Sequence, residues 1–123
     1  MTEIQNHKQY YDFEERTLDF AKQVRKFIKN IPRTIANIED GKQLIRSSGS
    51  VGANYIEANE ALSQKDFYHR VKISRKEAKE SRFWLNLIFV GENITLEQDR
   101  RDLIQETMEL TKIFGSIITK IKK

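Results

Sequence analysis

The chain has 123 residues, of which 33% are charged and 38% hydrophobic, with one proline, five glycines, no cysteine and a formal net charge of +4. That length supports one domain around one core, and the absence of cysteine excludes both a disulfide framework and a thiolate metal site. No apolar run approaches the ~20 residues that span a bilayer, so a soluble, cytoplasmic protein with no membrane partner is expected.

Residues 1–11 are polar and read as a loose N-terminal segment. Beyond them, apolar positions recur at steps of three and four in four segments, the spacing of helical stripes with a bundle seam. The first segment reads Phe13, Thr17, Phe20, Val24, Phe27 and Ile31. Pro32 ends it, because proline lacks an N–H and restricts the residue before it. A connection through Asn37 and Asp40 leads to the second segment, Leu44, Ser48, Val51, Tyr55, Ala58 and Leu62. Gly49 and Gly52 each cost that helix about 1 kcal/mol relative to alanine, and the small residues from Ser47 to Ala53 point to a closely approaching neighbour that offsets the loss.

Ser63 with Asp66 forms a near capping box that opens the third helix. Its seam is Phe67, Val71, Ser74, Ala78, Ser81, Leu85 and Ile88, small in the middle as a partner for the glycines of the second helix would be. Gly91 supplies the stop, and Thr95 with Gln98 forms the next capping box. The fourth segment reads Leu96, Leu103, Thr107, Leu110, Phe114, Ile117 and Ile121. Short connections make neighbouring helices antiparallel. The expected fold is therefore all-α, an antiparallel up-and-down four-helix bundle spanning residues 1–123 with helices about 30 Å long.

The third helix carries a second stripe, Ile73, Glu77, Glu80, Trp84 and Leu87, about 100° around the axis from the seam. It is either the wide buried face of one bundle or a subunit interface anchored on Trp84. Two E-x-x-E pairs, Glu57 with Glu60 and Glu77 with Glu80, fall on helices expected to be adjacent. Four convergent carboxylates could hold Mg²⁺ on a triphosphate, so the alternative function is a Mg-dependent all-α nucleoside triphosphate pyrophosphatase. Against it, paired acids arise easily on the solvated faces of a glutamate-rich chain, here with Lys76 and Lys79 close by. Only Asp66 and His69 approximate the E-x-x-H spacing of a di-iron site, and His69 reads as a surface or helix-start residue. With no glycine-rich phosphate loop, nucleophile elbow or thiol, the expectation is a non-enzymatic protein with no catalytic residue, cofactor or metal.

Basic residues concentrate on the third helix, where Lys65, Arg70, Lys72, Arg75, Lys76, Lys79 and Arg82 face only Asp66, Glu77 and Glu80. Lys72, Lys76, Lys79 and Phe83 stand at i, i+4, i+7 and i+11, one line along one side. These seven bases are the candidate nucleic-acid contacts. Phosphate contacts from such a line would be salt-sensitive and largely independent of sequence.

Three blocks, Ser50 to Ala58 (Ser-Val-Gly-Ala-Asn-Tyr-Ile-Glu-Ala), Lys65 to Arg70 and Lys76 to Leu85, match in order and spacing a four-helix bundle family. The chain resembles the 23S rRNA intervening sequence proteins, some of which are labelled ribosomal protein S23. Ser81 stands where relatives commonly carry threonine, which keeps the hydroxyl. The resemblance implies a bacterial protein, often encoded within an insertion in the 23S rRNA gene, whose bundle tends to form pentameric rings. It also implies a likeness in fold to the accessory variability protein of diversity-generating retroelements, a basic pentamer linked to nucleic acid. Carried over by position, it marks Asn54, Glu57, Lys76, Glu77, Glu80 and Trp84 as a polar layer and packing signature. The expected partners are other copies of the chain, five in a ring, and RNA or DNA.

Overall fold

The computed structural model describes the backbone of residues 2–122 and the side chains of residues 12–120. The expected loose segment over 1–11 and the seam residue Ile121 lie outside the side chains so described. Four helices follow one another, α1 Thr2–Asn30, α2 Ile35–Asn59, α3 Gln64–Leu87 and α4 Ile94–Lys122, joined by connections of four, four and six residues.

The helix ends follow local chemistry, and three of them differ from the sequence expectation. Pro32 follows α1 as expected, but the Thr34 hydroxyl accepts from the Asn37 amide and starts α2 at Ile35. Asn37 and Asp40 therefore belong to the first turns of α2 and not to a connection. At its far end α2 stops at Asn59, so Leu62 lies in the turn and is 99% exposed instead of extending the seam. Ser63 caps α3 as expected, accepting from the Asp66 amide at 3.1 Å. Helix α3 ends at Leu87, ahead of Gly91, whose φ of +68° serves the turn that follows. The Asn93 side chain accepts from the Leu96 amide at 3.0 Å, so Asn93 makes the cap expected of Thr95.

Packing confirms the seams almost position by position. All six residues of the first stripe are buried, as are Val71, Ser74, Ala78, Ser81, Leu85 and Ile88 of the third, with Phe67 half-buried. In α4 the last buried position among the described side chains is Ile118, and Ile117 is half-buried. A step of four from Phe114 turns about 40° past a full circle, whereas a step of three stops about 60° short. The line through Leu110 and Phe114 thus continues to Ile118.

Cross-helix contacts fix the topology. Asn54, Val51 and Ser47 of α2 meet Arg70, Ser74 and Ser81 of α3, so one number falls as the other rises and the helices are antiparallel. Ile28, Arg25 and Thr17 of α1 lie against Gly41, Gly49 and Gly52 of α2 in the same sense. Phe13 and Arg16 of α1 meet Phe114 and Glu106 of α4. Phe13, Tyr55 and Phe114 form an aromatic cluster with ring centroids 4.8 to 5.8 Å apart, within the range of favourable aromatic pairs.

The small residues of α2 serve two neighbours. A Cβ on Gly52 would stand 2.9 Å from the Thr17 hydroxyl oxygen and 3.2 Å from its Cβ, so this glycine admits α1, not α3 as its spacing suggested. Toward α3 the closeness comes from serine. Ser47 and Ser81 share a hydroxyl contact of 2.9 Å, and Ser74 donates to the Val51 carbonyl at 2.9 Å. At the end of the bundle where the α1–α2 and α3–α4 connections meet, Asn37 is 2% exposed and joins them. Its amide donates to the carbonyls of Pro32 (2.9 Å) and Phe89 (2.8 Å), and its oxygen accepts from the Phe89 amide at 2.9 Å.

Candidate nucleic-acid interface

Helix α3 holds seven bases against three acids, an excess of four that equals the net charge of the whole chain. At 3.6 residues per turn, Lys65, Lys72, Lys76, Lys79 and Phe83 fall within about 40° of one line. The buried seam of the same helix holds Val71, Ser74, Ala78 and Leu85, and lies on the opposite side. The four lysines are exposed, and none of them forms an ion pair among the described residues. Lys72 sits over the Tyr68 ring, 5.1 Å from its centroid, a cation–π contact that leaves the charge at the surface. Tyr68, His69 and Ile73 join Lys65, Lys72, Arg75, Lys76 and Lys79 in lining a shallow open depression on this face.

The other predicted bases divide between the two flanks. Arg75 and Arg82 are half-buried, seven residues apart on the side away from Glu77 and Glu80. Arg70 turns toward α2 and donates to the Asn54 side-chain oxygen at 3.0 Å, so it is tied to the bundle and is not part of the line. Phe83, 57% exposed, ends the line and meets Trp84 edge-on, with centroids 5.0 Å apart and an interplanar angle of 78°.

Two of the three acids of α3 are engaged elsewhere and do not compensate the lysines. Glu77, 8% exposed, accepts from Arg46 of α2 at 3.3 Å, and the same guanidinium binds Glu80. Glu80 also accepts from the Trp84 indole N–H at 3.0 Å. Most of the second stripe thus has a partner inside the subunit. Ile73 and Trp84 are half-buried, and Leu87 is exposed. Of the expected polar layer, Glu77, Glu80 and Trp84 form one network and Asn54 a separate pair, whereas Glu57 and Lys76 are exposed outside both. Arg46, which organises the network, carries no signal in the periodicity. An arginine immediately before the small run, able to reach an E-x-x-E pair on an antiparallel neighbour, was the available clue.

This arrangement also corrects the metal-site reading. Glu57 lies eleven residues beyond Arg46 on α2, about 16 Å along the axis from the level of Glu77 and Glu80. The two E-x-x-E pairs therefore do not converge, and among the described residues no group of three or more His, Cys, Asp or Glu side chains could hold a metal ion. A triphosphate-bound Mg²⁺ has no carboxylate cage here, and the pyrophosphatase alternative loses its site. No described helix is long and apolar enough to cross a membrane. Away from α3, between α1 and α4, the surface is acidic: Asp19, Asp99, Asp102 and Glu106 line a groove floored by Phe20 and Leu103.

These features define a small helical bundle with a row of exposed lysines on its third helix, and a solved structure shares the fold. A protein of unknown function from the S23 ribosomal protein family of Bacteroides thetaiotaomicron VPI-5482 is 32% identical, with a TM-score of 0.74, covering 89% of this chain and 97% of that one. Residues 10–116 match the family described as 23S rRNA-intervening sequence protein, and the chain belongs to that family. No curated protein matches it.

Proposed function

We infer that the chain is a non-enzymatic, cytoplasmic helical module whose copies assemble and which contacts RNA or DNA through the outward face of α3. The observation that carries this reading is the row Lys65, Lys72, Lys76 and Lys79. These side chains are exposed and without ion pairs among the described residues, on the helix that holds the chain's entire charge excess. A row of this kind neutralises phosphates and releases their counterions, which gives affinity with little sequence preference. The name of the family, with its reference to 23S rRNA, supports a setting close to nucleic acid.

Assembly is the second part of the proposal. Ile35 (86% exposed), Ile94 (85%), Phe89 and Leu87 offer apolar surface at the end of the bundle where Asn37 joins the connections. A ring, pentameric on the family resemblance, would repeat one basic face around its circumference and strengthen a weak contact by multivalency. A light-scattering mass equal to one chain at micromolar concentration would remove this part.

The nucleic-acid part is tested by fluorescence anisotropy with labelled RNA and DNA oligomers at low and moderate salt. Affinity should fall steeply with salt. Combined Lys72→Glu, Lys76→Glu and Lys79→Glu should weaken binding across sequences and flatten the log–log salt dependence by about 2–3. Absence of binding at low salt, or a triple variant that binds like the parent, overturns it.

A further inference from the structure

We propose that the nucleic acid taken by the α3 face is single-stranded, with Phe83 stacking on an unpaired base at the end of the lysine row; this deepens the reading above and rests on it. The row is one cation wide. From Lys65 to Lys79 it runs fourteen residues, about 21 Å, with the Lys72–Lys76 and Lys76–Lys79 steps rising about 6 and 4.5 Å. A single file of cations suits one phosphate backbone. A duplex presents two backbones across a groove, and the cations able to meet a second one, Arg75 and Arg82, are half-buried on one flank, while the other flank holds Glu80 and the Arg46 network.

The aromatic at the end of the row makes the stronger argument. Phe83 is 57% exposed on the side of α3 opposite the buried seam, and its edge-on contact with Trp84 steadies the ring. Trp84 is itself held by the Glu80 carboxylate, so the support beneath Phe83 is part of the folded network. A supported, solvent-facing ring in line with lysines is the combination by which proteins hold single strands, the cations tracking the backbone and the ring taking a base face. Paired bases within a duplex stack offer no free face to such a ring, so Phe83 adds nothing to duplex binding.

The test uses the full chain and fluorescein-labelled 12-nucleotide strands of RNA and of DNA, each alone and annealed to its complement, titrated at low salt. The single strands should bind more tightly than their duplexes. Phe83→Ala should weaken single-strand binding about tenfold while leaving duplex binding within about twofold, and Phe83→Trp should retain single-strand affinity. Circular dichroism melts of both variants keep a folding defect from passing for a binding one. Duplexes binding as tightly as single strands, or Phe83→Ala acting equally on both or on neither, overturns the proposal while leaving the basic-face reading intact. Loss of all binding preference for the lysines, seen as an unaffected triple charge reversal, removes both. Comparing the RNA with the DNA strand shows which sugar the face accepts.

Discussion

The polar groups inside the bundle and those on the outward face of α3 are handled in opposite ways. In the interior Asn37, Ser47, Ser74 and Ser81 each find a partner across a helix boundary, and Glu77 is matched by Arg46. On the outward face Lys65, Lys72, Lys76 and Lys79 find no charge partner among the described residues. Buried polar groups must be satisfied because their desolvation is costly, whereas exposed cations are satisfied by water and remain available. The contrast separates what holds the fold from what the fold presents.

Breaking the interior side should have the largest effect on stability. Asn37→Ala leaves the Phe89 amide and two carbonyls without their side-chain partner in a buried place, and a loss of about 3 kcal/mol is expected in chemical denaturation. A loss under 1 kcal/mol would mean that water replaces the side chain easily. Next comes Gly52→Ala, whose added methyl meets Thr17 at 2.9 Å and forces α1 outward. Overpacking should outweigh the helix-propensity gain and lower stability by about 2 kcal/mol.

Gly49→Ala, three residues earlier, sharpens the comparison. The new Cβ would meet only the tip of Arg25 at 3.4 Å, a flexible group that can give way. Stability should rise by up to about 1 kcal/mol, read as a higher denaturation midpoint at unchanged slope. Opposite signs at two glycines on one helix would identify the α1 contact as the reason for only one of them. Smallest of all, the triple charge reversal at Lys72, Lys76 and Lys79 should change stability by no more than about 1 kcal/mol, most of it from the lost contact of Lys72 with the Tyr68 ring, because exposed charges contribute little else.

Much of the fold was legible because seam residues at steps of three and four report directly on a helical core. The four seams, the Ser63 cap and the stop at Pro32 all follow from local chemistry. The departures lie where one local signal competed with another. Asn37 and Asp40 have turn-forming side chains, yet Thr34 caps α2 ahead of them, and the Asn37 amide serves a partner 52 residues away that no local pattern reveals. Gly52 announced a close neighbour but not which one, since a missing Cβ does not say what fills its place. On the candidate site, the lysine line was legible from spacing, while the pairing of Arg70, another of the seven candidate contacts, with Asn54 was not. The two acid pairs looked equivalent in sequence. Their separation along the bundle depends on the α2–α3 register, which only the packing fixes.

The Asn37 contact also bears on how two copies could exchange parts. The α2–α3 turn at residues 60–63 is short, ends in the Ser63 cap and carries the exposed Leu62. If it straightened, the hairpin α1–α2 of one chain would pack against α3–α4 of another. In such a swapped pair Asn37 of each chain would have to grip Phe89 of the other, so the bond that closes the monomer would become the link between subunits. One asparagine therefore enforces the same pairing of hairpins whether they belong to one chain or two.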